Sequence, residues 1–196
     1  MIQIPNSINV IWLGSFLRKD HQIRLIEWKR LNPKHTVNLW ICRSILNDEA
    51  YAKFESFCLK NDIRLCEVET LQEEINVGIQ AWLEQLQASE IKNYGVMSDI
   101  YRLYVLKKEG GWYFDTDITP VKPLPENLSL PYGFAIKATD DGEKVKSHSP
   151  SVLVSSPDSA FLQSAQHVVK RFAKKLFETW EPYVNSVDVL TRSLST

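Results

Sequence analysis

Several absences narrow what this 196-residue chain can be. No apolar run approaches the roughly 18 residues that would span a bilayer, so no transmembrane segment is expected. The start, MIQIPNSINVIWLGS, has no basic stretch leading into a long apolar run and a small-residue cleavage site, and so is not a secretory leader. The expected setting is the cytoplasm, or export as an effector by a route the sequence does not display. Cysteine is scarce: Cys42, Cys58 and Cys66 form an odd set without C-x-x-C spacing, which speaks against a disulfide framework and a structural zinc and for buried apolar fillers. Net charge is nearly absent, at −1 with a pI near 6.4, and gives no electrostatic reason to expect nucleic acid as a partner. The seven glycines and nine prolines are scattered, and there is no repeat or low-complexity block. With 44% hydrophobic residues the chain is long enough for one well-buried domain spanning residues 1–196.

The first third alternates in type. Residues 8–13 are an apolar, β-branched run closed by Gly14, which suits a central strand buried on both faces. Residues 21–31 have helical spacing through Ile23, Ile26 and Leu31, with Trp28 beside them, and end at Asn32 and Pro33. Residues 36–42 are extended, 47–61 helical from an Asn47 cap followed by Asp48 and Glu49, and 63–68 extended again. This β-α-β-α-β order predicts right-handed crossovers and a mostly parallel central sheet flanked by helices. Residues 70–87 follow as one packing helix with a broad apolar face from Leu71 to Leu86. His21 and His35 stand in polar settings and are expected on the surface.

The informative stretch is residues 94–120, YGVMSDIYRLYVLKKEGGWYFDTDITP. Val96, Ile100, Leu103 and Leu106 make an apolar stripe on a helix, and Asp99 and Arg102 share a face three residues apart. Gly110 can close the helix in a left-handed conformation after Lys107 and Lys108. Trp112, Tyr113 and Phe114 then favour a strand, at whose end Asp115 and Asp117 point to the same side. Two such carboxylates are either solvated turn residues ahead of Pro120 or a hard-oxygen site for Mg2+, Mn2+ or Ca2+, with coordination positions left for phosphate oxygens.

The succession Ser98, Asp99, Arg102, Gly110, Gly111, Tyr113, Asp115, Asp117 resembles the D-x-D sugar-binding region of the glycosyltransferases that include fungal Golgi mannosyltransferases and the glucosyltransferase domain of large clostridial toxins. All eight positions match in order. The resemblance implies a GT-A-type nucleotide-binding fold and a retaining, metal-dependent transfer of a hexose from UDP- or GDP-hexose, UDP favoured, to a glycan or protein hydroxyl. It implies Mn2+ or Mg2+ at Asp115 and Asp117, with Asp117 the direct ligand and Asp115 reaching the ribose or a metal-bound water. It places Asp99 on sugar hydroxyls, Arg102 on the diphosphate side and Tyr113 beside the donor, and it sets Trp12, at the end of the first strand, against the base. On residue type alone Trp12 is equally a core aromatic.

Beyond the aspartates, residues 119–124 and 132–138 read as strands. ATDDGEKVKSHSPS is expected to be a mobile surface loop in which Asp140 and Asp141 are solvated turn residues. Residues 152–155 resume a strand, and Pro157 and Asp158 open a long helix. The SSPDSAF run resembles, more weakly, a later segment of the same family. Family members continue further and supply another metal or phosphate contact from a C-terminal loop. This chain is short there, with His148, Ser149 and the tail near Asp188 as candidate substitutes. The remaining readings are a catalytically incomplete nucleotide-sugar-binding module and a metal-dependent phosphohydrolase. The latter would call for a second Asp, Glu or His cluster that the chain does not show.

Overall fold

The computed structural model describes residues 1–88, 93–140 and 145–179. Strand β1 (Ile2–Gln3) is short, and β2 (Ser7–Trp12) is the central strand. The chain continues through α1 (Lys19–Leu31), β3 (Thr36–Ile41), α2 (Asp48–Lys60) and β4 (Arg64–Glu67). Then come α3 (Val77–Ala88), α4 (Tyr94–Glu109), β5 (Gly111–Phe114), β6 (Ser129–Leu130), β7 (Phe134–Asp140), β8 (Val145–Ser155) and α5 (Ala160–Thr179). Six strands form one sheet in the order β4-β3-β2-β5-β8-β7, and β1 pairs with β6 at its side. The strands β4, β3, β2 and β5 run parallel, as the β-α-β-α-β pattern requires, while β8 pairs antiparallel with both β5 and β7.

Alternation along the strands builds two cores. Ile8 and Val10 of β2, Val37, Leu39 and Ile41 of β3 and Phe114 of β5 pack with Leu25 and Trp28 of α1 and Phe54 and Cys58 of α2. Ile11, Trp40 and Tyr113 point to the opposite face, against α3, α4 and α5. Both faces are therefore covered, which explains why β2 and β3 are apolar almost throughout.

One polar residue interrupts β2. Asn9 is completely buried, and its Nδ2 donates to the carbonyls of Gly110 (2.9 Å) and Trp112 (3.1 Å). Its Oδ1 accepts from Asn38 Nδ2 (2.8 Å) and Trp40 Nε1 (3.2 Å), so the amide is fully paired across three strands. The glycine pair beside it makes the junction possible. Gly110 closes α4 at φ 61°, ψ −162°, a region reserved for glycine rather than the left-handed helical one. Gly111, at φ 84°, lies where a Cβ would stand 2.3 Å from the Ser7 carbonyl oxygen.

Elsewhere the structure departs from the sequence reading. Helix α1 buries His21, Leu25 and Trp28, while Ile23 is 57% and Ile26 40% exposed, so the predicted stripe lies on the wrong face. His21 and His35 are both buried, not superficial, and burial holds the His35 pKa below its ordinary value. The single helix expected over 70–87 is a 3-10 segment, Val68–Glu74, followed by α3, with Ile75 extended between them. Asn76 makes the break, accepting from the Gly78 N–H at 3.0 Å. Residues 119–124 form no strand: Pro120 and Pro123 lack the donors a ladder needs, and the Leu124 N–H goes instead to Asn32 Oδ1 at 2.7 Å. Of the polar stretch expected as a loop, residues 138–140 lie in β7 and 145–151 in β8. Asp141 and Asp188 lie outside the described residues. Helix α5 begins two residues after Asp158, where Ser159 Oγ accepts from the Leu162 N–H. Cys42 and Cys58 are buried, with burial pushing their thiols up to about 11 and about 12; Cys66 is only half-buried.

The glycine junction gives a stability test. Gly111→Ala combines a left-handed backbone with a Cβ against the β2 backbone and should cost about 3 kcal/mol or more. Denaturant unfolding measures it, and an unchanged midpoint would show that β2 and β5 do not meet this closely.

Candidate functional site

The sheet reverses its direction of growth between β2 and β5, since β3 and β4 extend it one way and β8 and β7 the other. Loops leaving the carboxyl ends of the two strands at such a point diverge and leave a crevice. Here it is a cleft of about 380 Å³ lined by Trp12, Ser98, Asp99, Arg102, Tyr113, Asp115 and Asp117 together with Tyr94, Gly95 and Thr116. That size suits a small-molecule ligand. Six residues singled out from the sequence (Trp12, Asp99, Arg102, Tyr113, Asp115 and Asp117) thus share one cavity. His148 and Ser149 lie on β8 and are not among its lining residues.

Arg102 organises the cleft floor. It lies on the buried side of α4 and is 3% exposed, so its charge must be paired in place. Its guanidinium forms an ion pair with Asp99 on the same helix and lies 3.3 Å from Asp115 Oδ1. One NH1 proton goes to the Pro150 carbonyl of β8 at 2.6 Å, Nε points to the Ser98 carbonyl, and the plane sits 4.6 Å over the Tyr113 ring. Burial opposes the cation, but Tyr113, Asp99 and Asp115 outweigh it and hold its pKa above the ordinary value. The guanidinium is thus held at the cleft floor by Asp99, Asp115 and the Pro150 carbonyl.

The carboxylates differ in consequence. Burial pushes the Asp99 carboxyl up to about 6, with Arg102 opposing and Asp115 reinforcing the shift. Asp115 Oδ1 also accepts from the Tyr113 hydroxyl at 2.8 Å, and Ser98 Oγ lies 3.2 Å from that hydroxyl, so a chain of hydrogen bonds fixes Asp115. Burial raises the Tyr113 pKa and keeps the phenol protonated as the donor. Asp117 is exposed at the cleft rim. The donor set is all oxygen. Among the described residues no group of three or more His, Cys, Asp or Glu could enclose a metal ion. The residues therefore fit a hard cation that takes most of its ligands from phosphate and water.

Trp12 is half-buried: it packs against the core that includes Leu25 and Trp28 of α1 and also lines the cleft. Its Nε1 donates to the Ser15 carbonyl at 2.6 Å, and its ring lies 4.6 Å from that of His21 at 49°. His21 is the functional-site neighbour that the sequence reading missed. The signal was its place in the 21, 25, 28 stripe that α1 buries.

Removing the cation should be costly. Arg102→Met leaves the mostly buried Asp99 and its neighbour Asp115 without a counter-charge, and a loss of about 3 kcal/mol is expected. A melting temperature within a degree or two of wild type would mean that the guanidinium is not the organising charge.

A family described as glycosyltransferase sugar-binding region containing DXD motif matches residues 19–135, more than half of the chain. The chain is 28% identical over 187 residues to Subversion of eukaryotic traffic protein A of Legionella pneumophila, covering 93% of this chain and 28% of that protein. It thus spans little more than a quarter of that relative's length. A shorter match, 40% identical over 51 residues, links 26% of this chain to 15% of the human alpha-1,4-N-acetylglucosaminyltransferase. Among solved structures, PaToxG glycosyltransferase superposes with a TM-score of 0.79 at 22% identity, over 98% of this chain and 68% of that one. The UDP-bound glycosyltransferase domain of the YGT toxin superposes with a TM-score of 0.62 at 14% identity, over 98% of this chain and 67% of that one. Among the described residues no helix is long and apolar enough to cross a membrane. The fold is of the GT-A type, and the chain belongs to the glycosyltransferase family whose sugar-binding region contains the D-x-D motif.

Proposed function

We propose that this domain transfers a hexose from a nucleotide sugar, UDP-hexose in preference to GDP-hexose, to a hydroxyl of a glycan or protein, with retention at the anomeric carbon and with Mn2+ or Mg2+ bound. The observation that carries this reading is the convergence of Trp12, Asp99, Arg102, Tyr113, Asp115 and Asp117 on one cleft at the switch point of the sheet. The UDP named for the YGT toxin domain supports the choice of base. The names of the relatives, among them the Legionella traffic-subverting protein and several toxins, support an effector exported to act on another cell's components.

In this reading Trp12 presents a ring face to the base, as aromatic platforms do for bases generally. Asp99, fixed by Arg102, accepts hydrogen bonds from sugar hydroxyls. Asp115 and Asp117 hold the cation, with Asp117 the more accessible ligand. The bound cation neutralises charge on the departing diphosphate. Arg102 acts beneath them, keeping Asp99 and Asp115 in place. Retention needs no general base from the protein in a front-face displacement. There the acceptor oxygen bonds to the anomeric carbon on the side from which the phosphate oxygen leaves, and that phosphate oxygen takes the acceptor's proton.

A screen of UDP- and GDP-hexoses with Mn2+, read by thermal shift and release of nucleotide diphosphate, tests the whole reading; no shift and no release with any donor would remove it. Within it, Asp117→Asn should abolish metal-dependent UDP binding in calorimetry while changing stability by less than about 0.5 kcal/mol, because the side chain is exposed. Metal-dependent binding at wild-type strength in that variant would exclude Asp117 as a ligand.

Trp12→Ala should weaken UDP binding by about 1–3 kcal/mol, with Trp12→Phe keeping much of the affinity. Loss of folding stability with intact UDP affinity would show instead that the ring serves packing alone.

A further inference from the structure

The two aspartates of the D-x-D turn are separated by Thr116, whose side of the turn faces α1. Two local bonds shape the turn: the Asp115 N–H donates to the Ser151 carbonyl at 2.9 Å, and the Ile118 N–H to the Asp115 carbonyl at 3.0 Å. Neither holds the Thr116–Asp117 peptide. That peptide is anchored from α1, where His21 Nδ1 lies 3.0 Å from the Thr116 carbonyl oxygen.

The partners assign the tautomer. A carbonyl only accepts, so Nδ1 carries the proton. Nε2 lies 2.8 Å from Arg18 NH2, and an arginine only donates, so Nε2 supplies the lone pair. Both ring nitrogens are engaged. Arg24 NH1, 3.3 Å from Nδ1, finds its acceptors in Asp20 Oδ2 at 3.1 Å and the Thr116 carbonyl at 3.5 Å. Arg24 Nε reaches Thr119 Oγ1 at 3.3 Å, so α1 grips the turn at two points. The imidazole also meets Asp20 Oδ2, 3.7 Å from Nε2, and the Trp12 ring, at a ring separation of 4.6 Å. His21 itself is 5% exposed. A side chain needed only to fill space on the α1 face could be apolar, as Leu25 and Trp28 are. This one has both polar atoms directed and touches the tryptophan and the metal-side turn together.

We propose that His21 is a positioning residue: its Nδ1–H bond to the Thr116 carbonyl and its ring contact with Trp12 set the D-x-D turn at a fixed distance from the base platform. The inference rests on the nucleotide-sugar reading for its effect on binding, but not for its effect on the turn. A ligand whose base and diphosphate are held by separate elements binds well only if those elements keep their spacing, and small misplacements are costly.

Two variants separate positioning from packing. His21→Phe fills the ring volume against Trp12 but cannot donate, whereas His21→Asn carries an amide N–H that can take the place of Nδ1–H. Amide hydrogen exchange without ligand should quicken at residues 115–118 in His21→Phe, with the rest of the sheet unchanged, and should return toward wild type in His21→Asn. Mn2+-dependent UDP affinity should fall about tenfold in His21→Phe, the scale of one lost hydrogen bond, and be largely recovered in His21→Asn. The proposal is overturned if exchange at 115–118 stays at the wild-type rate in His21→Phe, if exchange rises evenly over the whole chain, or if His21→Asn behaves no better than His21→Phe. Should wild-type protein itself fail to bind UDP with Mn2+, the nucleotide-sugar reading falls, while the exchange measurement still decides whether His21 holds the turn.

Discussion

A cation with almost no access to water sits at the centre of this molecule, and the cleft is arranged around its needs. Taking a guanidinium out of water costs several kcal/mol unless charges and hydrogen-bond acceptors replace the solvent. Arg102 finds them on three elements: Asp99 and Ser98 on its own helix, Asp115 after β5, and the Pro150 carbonyl of β8. Because the planar fork directs each donor, the three elements are held in one relation rather than merely attracted. The packing of α4 on the sheet and the placement of two cleft carboxylates are therefore one structural fact. The sequence reading set Arg102 against the diphosphate. In the structure it lines the cleft and braces Asp99 and Asp115 from beneath.

The second constraint is the switch point. A crevice between β2 and β5 requires two parallel strands that adjoin at their beginnings and part at their ends. The registered pairs are confined to Ile8 with Trp112 and Asn9 with Tyr113. Gly110 and Gly111 allow the α4 to β5 connection to press against Pro5 and Ser7, and the Asn9 amide ties the same connection from the side. With the strand starts locked, the chain is free to diverge after Trp12 and Phe114, where the ligand-facing residues lie. An amide so deeply buried would be a liability if any of its bonds were missing. With all of them made, it is paired only when β2, β3 and β5 are in this register.

How much of this was legible follows from which signals are local. Spacing and caps in the sequence located the parallel strands, α2 from its Asn47 cap, α4 and its glycine stop, because each depends on neighbours in the chain. The D-x-D cluster was legible because its members lie within a single helix-turn-strand. What escaped depended on distant partners. Helix α1 offers two apolar stripes, and only the sheet decides that Leu25 and Trp28 turn inward and Ile23 outward. His21 reads as a surface residue until the Thr116 carbonyl, 95 positions away, is seen to need a donor. Residues 119–124 have strand-like composition, but two prolines and the Asn32 side chain divert them. The polar parts of β7 and β8 escape notice because Lys137–Asp140 and Val145–Ser149 pair with each other, and only the apolar end of β8, Val152–Ser155, is paired with β5.

The two aspartates of the turn, equivalent on paper, are physically unequal. Two carboxylates two residues apart repel, and a fold that must exist with and without a cation between them has to relieve that repulsion. Here one of the pair is neutralised by the protein itself. Asp115 Oδ1 receives the Tyr113 hydroxyl and lies beside the Arg102 guanidinium, so much of its charge is satisfied before any ligand arrives. Asp117 is exposed and lines the cleft, with no hydrogen-bond or ion-pair partner among the described residues. The protein thus sets a pre-oriented oxygen, which costs little to hold in place, beside an accessible one. Under the proposed function, an ion held by so few protein ligands would keep open positions for a diphosphate.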